Sequence, residues 1–130
     1  MIKLKPRTNQ EAFDMAYKGV MKQDKCSVNL CGACVYYGGP GVACAVGHLV
    51  AEEDRKRLNE FGYKGVLGLH KSGAIDVGDL SLDLLHKMQH AHDICDEVNQ
   101  SEFKSAYHKV MTKLSLHWGL RMPALENTND

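Results

Sequence analysis

The chain has no net charge: sixteen Lys and Arg balance sixteen Asp and Glu, and the pI is near 7. That balance weighs against a basic surface that would coat nucleic acid. Proline is scarce, at three residues, and charged residues reach only 25%, a composition that does not suit a disordered chain. No apolar stretch approaches the roughly 20 residues needed to span a bilayer, since Gly, His or charge interrupts each one. The N-terminus, MIKLKPRTNQ, has no apolar signal core, so the chain is expected in the cytoplasm, without a membrane partner. Aromatic content is low, at 7% with one tryptophan, yet 44% hydrophobic residues in 130 suffice for one core. We therefore expect a single domain over 1–130, with the polar tail 122–130 fraying after Pro123.

What the chain has in number is cysteine and glycine. Cys26, Cys31, Cys34 and Cys44 fall close together, and Cys95 stands alone in a helical pattern. An odd count without a secretory signal argues against a disulfide framework.

Periodicity predicts an α+β fold, mainly helical, carrying a small β-hairpin. Thr8 and Glu11 have capping-box spacing, and Phe13, Ala16, Tyr17 and Val20 make one apolar stripe to about Gln23. From Cys26 to Val50, alternation at Val28 and Leu30 and the β-favouring run Val35-Tyr36-Tyr37 lead into Gly38-Gly39-Pro40-Gly41. That pattern predicts a hairpin whose second arm lies near 42–45, followed by a mostly exposed helix around 48–60. Five glycines in 62–78 predict a loop with one or two short strands. Two helices close the chain. One covers about 80–99 with Asp79 as N-cap and Leu84, Leu85, Met88, Ala91, Ile94, Cys95 and Val98 on its apolar face. The other begins near Ser101 and ends at Gly119.

Chemistry concentrates in the cysteine segment. Cys31-x-x-Cys34 followed by Cys44-x-x-x-His48 offers four ligands of the kind that suit tetrahedral Zn²⁺, which would stiffen a glycine-rich hairpin. The bland alternative is that the three cysteines pack as small apolar residues. Cys44 at a helix N-terminus could instead be a thiolate nucleophile with His48 or His70 as base, making the protein a small cysteine- or metal-dependent enzyme. His86 and His90 lie one helical turn apart with Asp93 and Glu97 on a face expected to meet solvent, while His92 sits nearer the apolar boundary. Tyr36, Tyr37, His48 and His70, with the turn glycines and the loop around Lys64 to Ser72, could line a cleft for a nucleotide-like ligand, the run Gly68–Gly73 having the composition of a phosphate contact. His48 cannot serve the ligand and the metal together, and zinc has the stronger claim on it.

The stretch Cys34-Val-Tyr-Tyr-Gly-Gly-Pro-Gly-Val-Ala-Cys44-Ala-Val-Gly-His-Leu-Val50 resembles a group of small bacteriophage proteins. Their pattern reads Cys-x-Tyr-Arg-Gly-Pro-x-Gly-x-Lys-Cys-Ala-Val-Gly-x-Leu-Ile. Cys34, Tyr36, Gly38, Gly41, Cys44, Ala45, Val46, Gly47 and Leu49 fit it without a length change, while Tyr37 and Ala43 replace its Arg and Lys. The resemblance implies a phage accessory protein acting in the host cytoplasm. It would serve counter-defence by sequestering a nucleotide-like immune signal or blocking a host defence protein. Two other readings compete: the small enzyme, and a zinc-stabilised nucleic-acid module, which the zero net charge disfavours. Exposed faces on the last two helices leave room for a homo-oligomer.

Overall fold

The computed structural model describes residues 1–23, 25–28, 34–61, 65–94 and 102–124. Cys31, Lys64, Cys95, Glu97, Val98 and the tail 125–130 lie outside the described residues. The chain begins with β1 (Ile2–Lys3) and α1 (Asn9–Lys22), then a single 3₁₀ turn at Val46–Leu49. There follow α2 (Glu52–Glu60), α3 (Val66–Lys71), β2 (Ile75–Asp76), α4 (Leu82–Asp93) and α5 (Phe103–Trp118). It is a mainly helical α+β arrangement. None of the described helices is long and apolar enough to cross a membrane.

Local signals set the helix ends. Thr8 Oγ1 accepts the Glu11 N–H at 3.1 Å, and Glu11 Oε1 accepts the Thr8 N–H at 3.1 Å, completing the capping box of α1. Gly119 takes the left-handed conformation that ends α5, with φ +65°. At α4 the cap is Ser81, whose hydroxyl accepts the Leu84 N–H at 3.3 Å; Asp79 lies two residues earlier and is exposed. The expected start near residue 80 therefore moves to Leu82.

The apolar stripes then meet. α1, α4 and α5 pack against one another, burying Phe13 and Tyr17, Leu84, Leu85 and Met88, and Phe103, Tyr107 and Met111. An aromatic chain runs through this core: Phe13 on Tyr17 (6.5 Å between centroids), Tyr17 on Tyr107 (6.3 Å) and Tyr107 on Phe103 (6.2 Å). It ends with the Phe103 ring and His92 edge to face at 5.6 Å. After α5, the chain does not leave the body at once. Arg121 exchanges two backbone hydrogen bonds with the Gln10 side chain, both 2.9 Å, and Met122 packs partly on the core.

Two expectations are corrected. The sheet is not a hairpin: β1 and β2 pair in parallel, Ile2 with Ile75 and Lys3 with Asp76. These partners are far apart in sequence and only two residues long, below what alternation can reveal. In the glycine segment the reversal does form, with Gly38 N–H on the Val42 carbonyl at 2.8 Å and Gly39 at φ +118°. Among the described residues its arms, however, make only the isolated bridge Tyr37–Ala43, while a second bridge joins Val28 to Cys34 ahead of the turn. The run Ala43-Cys44-Ala45-Val46 is buried at every position and does not alternate, so it enters the core as a chain and turns into the 3₁₀ segment. The second correction is α3, a helix in the stretch expected to be loop and strand. Val66 and Leu69 bury against α4 while Leu67 faces out.

Candidate metal centre

With isolated bridges in place of a ladder, the 34–47 segment takes several of its hydrogen bonds from the carboxamides of Gln23, Asn59 and Gln89. Gln23, at the end of α1, is buried. Its Oε1 accepts the Ala43 N–H at 3.0 Å and the His48 Nε2–H at 2.8 Å, and its Nε2 donates to the Lys25 carbonyl at 3.1 Å. Those partners fix which end of the amide is oxygen and which nitrogen of His48 carries the proton. Asn59 on α2 accepts the Tyr36 and Tyr37 N–H groups at 2.9 and 3.2 Å and donates to the Tyr37 carbonyl at 3.0 Å. Gln89 on α4 accepts the Val46 N–H at 3.1 Å and donates to Asp93 Oδ1 at 2.9 Å. Arg55 Nε adds a bond to the Gly47 carbonyl at 2.8 Å.

This scaffold delivers Cys34 to the last turn of α4. Ser27 holds Val35 in place, its carbonyl accepting the Val35 N–H at 3.0 Å and its hydroxyl donating to the Val35 carbonyl at 2.7 Å. Cys34 Sγ donates to the Asp93 carbonyl at 3.5 Å. His92 is fully buried, its ring set by Phe103 on one side and by two hydrogen bonds in its own plane. The Ser27 N–H donates to Nε2 at 3.2 Å, and Nδ1 faces Asp93 Oδ1 at 3.2 Å. A backbone N–H can only donate, so Nε2 holds a lone pair and the ring proton sits on Nδ1, aimed at the carboxylate.

Donor atoms of Cys34, His92 and Asp93 all lie within 4.8 Å of one another. Among the described residues no other group of three such side chains converges in this way. The group could hold a metal ion. Tetrahedral coordination at metal–ligand distances of about 2.0–2.3 Å puts neighbouring ligands roughly 3.5 Å apart, so donors up to 4.8 Å apart need close by roughly 1.3 Å at most. Cys34 and Asp93 are only half-buried and have room to rotate, while His92 is the fixed point.

Electrostatics separates this group from the rest of the segment. Burial lowers the tendency of His92 to protonate, but the Asp93 carboxylate and Cys34 outweigh it and hold its pKa above the usual value. Cys44 behaves oppositely. Burial pushes its thiol up to about 12, against the weaker pull of the Gly47 N–H that its sulfur accepts at 3.3 Å. A short 3₁₀ N-terminus does not overcome full desolvation, so Cys44 is a protonated core thiol, not an activated nucleophile. His48 is pressed down to about 4 by burial, then by Arg55 and His92, and stays neutral.

The ligand set expected from the sequence is therefore redistributed. Cys34 is in the cluster. Cys44 and His48 do not join it: one is sunk in the core and the other is tied to Gln23 with its ring against Gly19. Cys31 falls outside the described residues. Of the residues expected around a ligand, Tyr36 is buried, and Tyr37 lies half-buried with Lys56 Nζ 5.4 Å above its ring, in a shallow cleft with Glu52 and Glu53. His70 is exposed near the end of α3. His86 and His90 do face solvent, but Asp93 turns inward to Gln89 and His92.

Three residues of the site escaped the sequence reading. Gln89 falls between Leu85 and His92 on the buried face of α4, and a carboxamide inside an apolar stripe is a visible sign that it binds something there. Gln23 and Asn59 carried no comparable signal. No protein-family model, curated protein sequence or solved structure matches this chain.

Proposed function

We propose that the protein is a non-enzymatic binding protein whose glycine-rich segment is fastened to α4 by one zinc ion on Cys34, His92 and Asp93. The convergence of those three donors within 4.8 Å carries the reading. Thiolate and imidazole favour zinc over the oxygen-seeking magnesium and calcium, and a single carboxylate adds a third ligand of a kind zinc accepts, which leaves the fourth tetrahedral position to water. The position supports a structural role. The site joins Cys34 to the end of α4, and the ring that anchors it is locked by Ser27 and Phe103. The resemblance to small bacteriophage proteins supplies the setting, an accessory factor in the host cytoplasm that acts by occupancy, on a nucleotide-like signal or a host defence protein.

Binding has a local cost that the geometry makes explicit. Zinc on Nδ1 displaces the proton there, and a neutral ring then needs its proton on Nε2, where the Ser27 N–H now points. Loading must loosen that contact. Native mass spectrometry after zinc addition tests the reading: one zinc per chain for the wild type and for Cys44→Ser, none for Cys34→Ser. Zinc retained by Cys34→Ser overturns it.

A further inference from the structure

Exposure alternates strictly along the N-terminal chain: Ile2, Leu4 and Pro6 are buried, while Lys3, Lys5 and Arg7 face out together. The backbone that carries them is pinned. β1 pairs with β2, the Lys5 N–H donates to the Leu49 carbonyl at 2.7 Å, and the Arg7 N–H donates to Glu11 Oε1 at 3.1 Å. Beside this row lies a groove of about 500 Å³, lined also by Asp76, Gly78 and Asp79 from the turn after β2. Here the side chains of Lys3, Lys5 and Arg7 make no ion pair or hydrogen bond among the described residues. Asp76 is directed to its own turn, Oδ1 accepting the Gly78 N–H at 3.0 Å.

We infer that this groove is a binding site for a nucleoside polyphosphate. The uncommitted cations would take the phosphates. Asp76 and Asp79 would accept hydrogen bonds from sugar hydroxyls or base N–H groups, and they repel ligands that are anionic throughout, such as acidic peptides. The volume falls within the roughly 300–1,000 Å³ of small-molecule sites. With no net charge on the chain, a long polyanion gains nothing beyond the groove itself. The site shares no residue with the metal centre and lies away from the tyrosines the sequence pointed to.

The test is calorimetric titration of the full-length protein, in EDTA, with ATP, adenosine and inorganic tripolyphosphate, alongside the double variant Lys3→Gln/Lys5→Gln. Both lysines are exposed, so the variant leaves the core intact. ATP should bind, adenosine should bind at least tenfold more weakly, and the double variant should lose at least tenfold in ATP affinity. Cys34→Ser should keep ATP binding, which separates this inference from the metal reading. Equal affinity of the wild type and the double variant, or equal binding of ATP and adenosine, overturns it. So does a single-stranded oligonucleotide that displaces ATP at lower concentration, since the site would then serve a polymer.

Discussion

Replacing Gln23 with methionine keeps the volume and removes every polar contact the side chain makes. The Ala43 N–H, fully buried, loses its acceptor, a penalty of about 1–3 kcal/mol. The His48 Nε2–H, partly buried, is stranded for roughly 1 kcal/mol more, while the Lys25 carbonyl can turn to water at little cost. The expected loss is about 2–4 kcal/mol, a large share of the ~5–15 kcal/mol typical of a domain this size. Urea denaturation followed by tryptophan fluorescence and circular dichroism reads it. With a slope near ~2 kcal/mol per molar urea, the midpoint should fall by about 1–2 M. Adding His48→Leu should cost less than the sum of the single changes, because the stranded donor is then gone. A midpoint that moves by less than about 0.3 M would mean the glycine segment is held by burial alone, and the carboxamide account would be wrong.

Acid should weaken the fold through His48. Its folded pKa of about 4 lies below the unfolded ~6.5, so the unfolded chain takes up a proton first as pH falls through that window. Stability then declines from pH 6.5 to about 4 by at most ~3 kcal/mol. His92, held above its usual value, acts with opposite sign: its contribution is full below about 6.5 and lost as pH rises through its folded pKa. In His48→Asn the acid-side loss should therefore disappear, the urea midpoint at pH 5 rising relative to that at pH 7 because only the opposing His92 contribution remains, and an unchanged pH slope in that variant would contradict the assignment. Gly47→Ala places a Cβ 2.4 Å from the Tyr36 carbonyl oxygen and 2.9 Å from Ala43 Cβ, both part of the held segment, and should cost about 1–3 kcal/mol. Gly65→Ala meets nothing within 4 Å and should change stability by less than about 0.5 kcal/mol; equal effects of the two would refute the close-packing argument.

What could be read from the sequence was what local chemistry determines. The capping box at Thr8 and Glu11, the left-handed stop at Gly119 and the apolar faces of α4 and α5 each depend on residues within a turn or two of one another. α3 was missed because six residues carry less than two turns of periodicity, and Gly68 inside it speaks against a helix. A short strand was expected within 62–78, where β2 lies, but β1 and its pairing with β2 were not, because that partnership joins the chain start to residue 75. The site divides in the same way. Cys34 stood out through its neighbours, and His92 was placed at the apolar boundary. Their meeting depends on Ser27 and Cys34 lying against the end of α4, where Cys34 reaches His92 across 58 positions of sequence. The four-ligand pattern from Cys31 to His48 assumed that closeness in sequence meant convergence in space. Burial of the Ala43–Val46 run draws Cys44 into the core instead, and Gln23 claims His48.

The metal claim rests on the state of one imidazole, which long-range ¹H–¹⁵N correlation spectra of the histidine rings report directly. Without metal, and at a pH above its raised folded pKa where the ring is neutral, His92 should show a protonated Nδ1 and an unprotonated Nε2, as its bonds to Asp93 and Ser27 require. One equivalent of zinc should move Nδ1 of His92 into the metal-bound range and speed amide exchange at Ser27, and both changes should vanish in Cys34→Ser. Zinc that leaves His92 unmoved while shifting His86 and His90 would place the ion on the exposed face of α4 and contradict the proposed centre.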